Sequence, residues 1–169
     1  AKNYTGEPFH AILCDPPYEL GFMGKAFDKT GISFRSETWA ALAEHLHDGG
    51  FGMAFASSRG WHRLACAIED AGLVIHPSIF GWAFGSGFPK ATRVKDSETF
   101  DGHRYGLQAL KPALEPIIVF QKPYRGKPVE NITRTGAGSL NIDGSRIGVD
   151  ESEKPAIIAK NESFKGRKS

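Results

Sequence analysis

The sequence predicts an α/β protein in which parallel strands and one antiparallel strand form a sheet with helices on its faces. Apolar runs of strand length alternate with segments of helical period, a pattern typical of parallel β-α-β units. The last apolar run has no helix before it, which favours an antiparallel strand. The chain has 169 residues, of which 40% are hydrophobic and 24% charged. This is an ordinary composition for one globular domain with a real core.

The predicted strands are four short apolar runs between turn residues. They cover residues 10–14, 51–57, 73–84 and 115–121. The second run alternates Phe and Met with small residues, so we expect a strand that is covered on both faces. The third contains Pro77. Because proline cannot donate a hydrogen bond to a ladder, this strand is expected at a sheet edge or a bulge.

Two helices are predicted between the first three strands. The first starts with Ser36 as its N-cap and ends at the Gly49-Gly50 pair. The second covers about residues 60–71 and stops at Gly72. Residues 19–35 have scattered glycines and no sustained period, so we expect a loop that forms a flap over the neighbouring site.

The most informative stretch is Asp15-Pro16-Pro17-Tyr18, directly after the first predicted strand. Neither proline can continue a ladder, so the strand must end there. The carboxyl end of a strand is where open α/β sheets bind their ligands. The prolines fix the backbone and therefore aim two acceptors, the Asp15 carboxylate and the Pro16 carbonyl, beside the flat ring of Tyr18. The residues predict a site for a planar group that carries an NH2.

Charge is unevenly distributed along the chain. The net charge is only +2, but residues 87–134 carry nine Lys or Arg against five Asp or Glu. Residues 1–86 carry six against nine. A basic middle suits contact with nucleic acid, although an ordinary solvated face fits the charge equally well.

No apolar run has the length of a membrane span, so no membrane partner is expected. Cys14 and Cys66 are expected as buried thiols in a reducing cytoplasm, with no metal site.

The tetrapeptide at 15–18 resembles the Asp/Asn/Ser-Pro-Pro-aromatic motif of the DNA amino-methyltransferases, of the N6-adenine and N4-cytosine type. Three longer blocks are similar to bacterial and phage-type members, namely residues 81–90, 110–117 and 136–144. The resemblance covers about residues 10–148. It implies half of a Rossmann-like methyltransferase sheet. Residues 1–124 would form the catalytic half-domain, including a basic recognition segment at 85–112, and residues 125–169 a polar C-terminal extension.

The resemblance also implies the chemistry. Asp15 and the Pro16 carbonyl would accept the two N–H bonds of an adenine amine, with Pro17 fixing the loop and Tyr18 stacking on the flipped base. Asp15 would also adjoin the cofactor, S-adenosylmethionine. The resemblance implies DNA as the partner and a role in a restriction–modification system. The candidates for DNA contact lie in the basic segment: Lys90, Arg93, Arg104, Lys111 and Phe88.

The family's glycine turn for the cofactor is missing. Residues 84–87 lead into Phe88-Pro89 and not into a clean helix start, and residues 136–138 have no apolar strand before them. In the beta subclass of the family the catalytic motif comes first and the cofactor half follows it. The chain is therefore expected to be the catalytic half without the main cofactor half. It would be a fragment, a split subunit or a decayed gene product. We therefore expect another copy, a partner chain or the tail to cover the apolar edge at 11–14.

Several functions remain open from the residues. In the family that the motif resembles, Asp at the first motif position favours adenine N6, whereas Ser is commoner there in cytosine-N4 enzymes. Methylation of RNA or of a protein glutamine is disfavoured, because the cofactor motif precedes the tetrapeptide in those relatives and only fourteen residues precede it here. A catalytically inactive nucleic-acid-binding or assembly module is the alternative from another class.

Overall fold

The computed structural model describes residues 3–21, 24–87 and 89–148. Seven strands lie in this part of the chain: β1 (Phe9–Cys14), β2 (Leu46–Phe55), β3 (Val74–Ile75), β4 (Phe80–Ala83), β5 (Thr92–Arg93), β6 (Arg104–Tyr105) and β7 (Leu114–Gln121). It also holds three α-helices: α1 (Ser36–Ala43), α2 (Trp61–Asp70) and α3 (Pro128–Thr135). No helix in these ranges is long and apolar enough to cross a membrane.

The main sheet has five strands in the order β1-β2-β7-β3, with β4 also paired to β7. β1 and β2 are parallel, whereas β7 is antiparallel to β2, β3 and β4. The last strand in sequence is therefore inserted between strands that run the other way. The predicted fold class, parallel strands with one antiparallel strand and flanking helices, is confirmed.

The third predicted strand is divided into two by Pro77. β3 ends at Ile75 and β4 begins at Phe80, and both pair with the outer side of β7. Because Pro77 has no N–H to donate, the ladder is interrupted at the sheet edge. The expectation of an edge or a bulge is confirmed.

The core lies between one face of the sheet and the helices α1 and α2. Small residues of β2 leave room for large side chains from β7 and the helices. The buried cluster comprises Trp39, Ala54, Ala56, Leu64, Ala67, Ile68, Leu73, Ile118 and Phe120. The rings of Trp39 and Phe120 meet edge to face at 5.9 Å between centroids. This packing holds β2 and β7 against the helices and so fixes the loops at their ends.

The opposite face of the sheet is not covered to the same extent. Side chains alternate along a strand, so Met53 points away from the face that carries Ala54 and Ala56. Met53 is 36% exposed, and its register partner Leu13 on β1 is 71% exposed. The prediction that this strand is covered on both faces is wrong for the described residues.

The first predicted helix is too long. α1 ends at Ala43, and Leu46 already belongs to β2 and pairs with Phe9. Pairing with β7 extends the ladder, since Gly49 N–H donates to the Lys122 carbonyl at 3.0 Å. These long-range bonds outweigh the local helical pattern. Ser36 is the first helical residue and Arg35 is the N-cap, so the predicted cap is wrong by one position.

The helix α3 was not predicted. The side-chain N–H of Asn131, which is 3% exposed, donates to the Asp48 carbonyl of β2 at 2.9 Å. Gly136 ends the helix with a left-handed φ of 67°. Residues 128–138, within the extension expected at 125–169, therefore pack against the sheet.

The chain divides into two compact units, residues 1–138 and 139–169. In the second, the Asn141 side chain accepts a bond from Gly144 N–H at 2.9 Å and forms a local turn.

Candidate active site

The loop of residues 15–18 begins where β1 ends. Cys14, the last residue of β1, lies beside Ala54 of the parallel strand β2. Asp15 follows at once and is exposed, whereas Pro16, Pro17 and Tyr18 are half-buried. The predicted position of this motif, at the carboxyl end of a parallel strand, is therefore found. The loop offers an exposed carboxylate on a backbone that two prolines restrain.

A buried serine fixes the middle of the loop. The Ser33 hydroxyl donates to the Pro17 carbonyl at 2.6 Å. The Ser33 carbonyl in turn accepts a bond from the Trp39 indole N–H at 2.9 Å. Ser33 is 2% exposed and Trp39 is 1% exposed. The loop is thus attached to the helical core by bonds that water cannot easily replace.

Glu19 connects the loop to the segment that follows it. Its carboxylate accepts bonds from Gly31 N–H at 2.7 Å and from the Thr30 hydroxyl at 3.2 Å. Its own N–H donates to the Asp28 carboxylate at 2.8 Å. The segment also contains two short 3-10 helices, Ala26–Lys29 and Ile32–Phe34. The predicted loop is therefore a folded segment with its own bonds to the site.

Tyr18 reaches from the loop across the end of β2 to β7. Its hydroxyl donates to the Glu115 carboxylate at 3.3 Å. Burial raises the pKa of Tyr18 above its usual range, and the carboxylates of Asp15 and Glu115 raise it further. The phenol therefore stays protonated and acts as a donor near neutral pH. Sequence reasoning assigned Glu115 no role, because only the pairing of β2 with β7 brings it to the loop.

The Cys14 thiol lies at the base of the site. Burial and then the neighbouring Asp15 carboxylate raise the pKa of Cys14 to about 11. Its Sγ lies 3.7 Å from the Met53 carbonyl. The thiol is consequently neutral near pH 7 and is not a nucleophile there.

Aromatic side chains lie next to Glu115. Trp82 of β4 is its register partner across the ladder and is 55% exposed. The Trp82 and Phe55 rings meet edge to face, with 6.3 Å between their centroids. The Trp82 and Phe84 rings are tilted against each other, with 5.7 Å between their centroids. The exposed indole of Trp82, which is held by these two rings, offers a flat surface close to Glu115, the hydrogen-bond partner of Tyr18.

The predicted DNA-contact residues lie in the segment between β4 and β7. Arg93 and Arg104 are register partners in the two-stranded β5–β6 ladder. Both are exposed, as are Lys90 and Lys111. Like charges opposite each other on two strands repel, so an anion between them would be favourable. The Lys111 ammonium donates to the Gly85 carbonyl at 2.6 Å, which ties the two ends of the segment together. Phe88 lies outside the described residues.

The glycine clusters at residues 84–87 and 136–138 each contain a glycine with a left-handed backbone conformation. Gly87 has a left-handed φ of 114°, and a Cβ there would lie 2.9 Å from the Pro112 carbonyl. Gly138 has a φ of 90°, and a Cβ there would lie 2.7 Å from the Gly49 carbonyl. Neither cluster lines a cavity beside Asp15. The cavity next to Tyr18 measures about 10 Å³ and is lined by Pro17, Tyr18, Phe34, Ala56, Ser57, Gly60 and Leu64. This cavity is too small to hold a cofactor of nucleoside size.

No protein-family model and no curated protein matches the chain. Solved structures do match. A crystal structure of the M1.HpyAVI–SAM complex is 18% identical with a TM-score of 0.43, and it covers 73% of this chain and 51% of the other. A crystal structure of M1.HpyAVI is 20% identical with a TM-score of 0.42, covering 72% and 51%. The chain spans about half the length of these structures.

Proposed function

We propose that this chain provides the catalytic loop of a DNA methyltransferase that acts on the exocyclic N6 of adenine. The observation that carries the proposal is the Asp15–Tyr18 loop at the carboxyl end of β1. It combines an exposed carboxylate, a restrained backbone and an aromatic ring whose hydroxyl is held by Glu115. This arrangement suits a planar amine better than a phosphate or a sugar, because it presents acceptors and a flat apolar surface.

The chemistry follows from the acceptors of the loop. The amine of adenine is a poor nucleophile, since its lone pair is delocalised into the ring. When the Asp15 carboxylate and the Pro16 carbonyl accept its two N–H bonds, the nitrogen moves toward tetrahedral geometry and the lone pair becomes localised. The carboxylate also stabilises the positive charge that develops on nitrogen. Pro17 contributes by restraining the backbone, and its carbonyl is held by Ser33.

DNA is the proposed substrate class. A target amine is inaccessible inside a duplex, so the base must leave the stack, and stacking on Tyr18 offsets part of the cost. The exposed cations Lys90, Arg93, Arg104 and Lys111 are proposed to contact phosphates. They lie in one segment between β4 and β7 whose ends are joined through Lys111 and Gly85.

S-adenosylmethionine is the proposed methyl donor. Asp15 is the described residue proposed to lie beside its reacting end. Since the cavity next to Tyr18 is far smaller than this cofactor, we propose that a second copy or a partner chain completes the pocket. The edge strand β1 is the proposed contact, because it pairs only with β2 in the described part of the chain.

A calorimetric titration with S-adenosylhomocysteine tests the proposal, followed by transfer of labelled methyl to oligonucleotides. Oligonucleotides in which only adenine or only cytosine carries a methylatable amine separate N6 from N4 transfer. Micromolar binding and label on adenine are expected from the chain or from its assembly with a partner. Label on cytosine alone would overturn the N6 assignment, and an assembly that binds the cofactor but transfers nothing would overturn the enzymatic proposal.

The second candidate is a nucleic-acid-binding or assembly module without transfer activity. It is favoured by the glycine clusters, which pack against Pro112 and Gly49 and away from Asp15. The two candidates differ in one pair of titrations. Affinity for DNA without affinity for S-adenosylhomocysteine, also in the presence of a partner, would favour the module.

A further inference from the structure

The contact between Tyr18 and Glu115 joins residues 97 positions apart in the chain. The phenol has one proton, and the Glu115 carboxylate accepts it. The Asp15 carboxylate acts on the same hydroxyl. A single O–H donor therefore stands among two acceptor-only side chains. A carboxylate has about four lone-pair sites, so the Asp15 oxygens can still accept from other donors even where Asp15 shares the phenol proton with Glu115.

Glu115 is well placed to serve as an anchor. It lies at the beginning of β7, where Ala56 N–H donates to the carbonyl of the next residue, Pro116, at 3.0 Å. On its other side it pairs with Trp82 of β4. Its backbone is thus held between two strands, and its side chain is half-buried. A carboxylate on such a rigid element can fix the hydroxyl end of the Tyr18 ring.

The other end of the ring is fixed by the loop backbone. Pro17 precedes Tyr18, and its carbonyl accepts the short bond from Ser33. With both ends restrained, the position and long axis of the ring are set before any ligand arrives. Preorganisation of this kind reduces the entropy that a stacking base must lose on binding.

We propose that Glu115 is a positioning residue that holds the Tyr18 ring in the place where the target base stacks. The inference rests on the proposed function, which assigns the ring its role in stacking, although the contact itself can be tested without DNA. Glu115 acts through Tyr18, whereas Asp15 accepts the N–H bonds of the base.

The contact is tested by NMR titration of the chain with tyrosine labelled at Cζ. Tyr105, which is 82% exposed, serves as the internal reference, and Tyr18→Phe assigns the Tyr18 signal. Glu115→Gln removes a negative charge but keeps an acceptor. The ionised fraction of Tyr18 should rise by a factor on the order of three at a given alkaline pH. An unchanged titration in Glu115→Gln would overturn the contact. Glu69→Gln, on the exposed side of α2, is the matched control and should change nothing.

The positioning role is tested with DNA that carries 2-aminopurine at the target position. Stacking on Tyr18 should quench its fluorescence. Tyr18→Phe and Glu115→Ala should each lose a similar part of the quenching, the double variant should lose no more, and Glu115→Gln should retain most of it. Additive losses, or a Glu115→Gln variant as impaired as Glu115→Ala, would overturn the proposal. If the wild-type chain does not quench, the proposed function fails, while the tyrosine titration still decides whether Glu115 holds the ring.

Discussion

Asp15 combines features that sequence and structure explain separately. The two prolines after it stop the ladder of β1, and the parallel pairing of β1 with β2 brings it to the carboxyl edge of the sheet. Its side chain is exposed, so it contributes little to packing. An exposed acid on a restrained loop suits the proposed contact with a ligand.

Removing the Asp15 carboxylate should therefore affect activity and leave the fold intact. In an active assembly, Asp15→Ala should lower methyl transfer at least about 100-fold, because an electrostatic contact to the reacting nitrogen is lost. The thermal midpoint should stay within experimental error. Asp70→Ala, at an exposed position of α2, is the control. Equal transfer by Asp15→Ala and the control would remove Asp15 from the proposed mechanism.

The Cys14 thiol gives the fold a dependence on alkaline pH. Its folded pKa of about 11 lies above the ordinary value of 9.0 for a thiol, because burial disfavours the thiolate. The contribution of this group to stability is thus fully present below pH 9.0 and is lost as pH rises through about 11.

Urea unfolding between pH 8 and pH 10.5 checks this dependence. The free energy of unfolding should fall with pH in the wild type and fall less steeply in Cys14→Ala. The prediction that Cys66 is buried is wrong, because its position on α2 leaves it exposed, so Cys66→Ala should keep the wild-type slope. The same slope in all three proteins would show that Cys14 does not cause the fall.

At the scale of elements, β1 is an edge strand with an apolar surface. Its outer side has no strand partner in the described residues, and Leu13 is 71% exposed. Edges of this kind favour pairing with another chain. That β1 is covered by a copy or partner stays a prediction.

Leu13→Lys tests the β1 edge, because a charge on an edge strand opposes association. Sedimentation velocity should show weaker association than in the wild type, or weaker binding of a partner chain. Stability should change by less than about 0.5 kcal/mol, since the side chain is mostly exposed. Leu107→Lys, in the segment between β6 and β7, is the control at a leucine that is still more exposed than Leu13. A wild-type chain that is a monodisperse monomer with residues 11–14 uncovered would contradict the prediction.

The contact between α3 and β2 depends on a close approach of two backbones. A Cβ at Gly138 would lie 2.7 Å from the Gly49 carbonyl, and the φ of 90° already disfavours a side chain. Gly72 has a similar φ of 83°, but a Cβ there would meet nothing within 4 Å.

The pair Gly138→Ala and Gly72→Ala therefore separates conformational strain from steric exclusion. Gly72→Ala should cost about 1–2 kcal/mol of unfolding free energy. Gly138→Ala should cost more, because the Gly49 carbonyl must also move. Urea unfolding of both variants measures the difference, and equal costs would mean that the approach of the backbones is not tight.

At the scale of the whole molecule, the strand order of the sheet determines which loops lie next to each other. Insertion of β7 between β2 and the pair β3–β4 places Glu115 beside the loop that follows β1. The same insertion places Trp82 opposite Glu115. One antiparallel strand thus completes the site that the parallel strands begin.

Local patterns were sufficient for the site loop and for most elements. Prolines 16, 17 and 77 forced interruptions at the predicted places, because a residue without an N–H cannot continue a ladder. The period of apolar residues placed α2 correctly, with Gly60 as its N-cap. Such features depend only on neighbours in the chain.

Long-range pairing decided what the local patterns missed. The helical spacing of apolar residues continues to Leu46, yet bonds to β1 and β7 make residues 46–50 part of a strand. The Asn131 bond to Asp48 joins α3 to the sheet, and nothing in residues 128–135 alone reveals it.

The sequence by itself determined that β1 ends in a rigid loop with an acid, a carbonyl acceptor and a ring. Only the tertiary structure decided that Glu115 holds that ring. The reason is physical: a proline restricts its own backbone wherever it occurs, whereas a hydrogen bond between residues 97 positions apart exists only after the strands have paired.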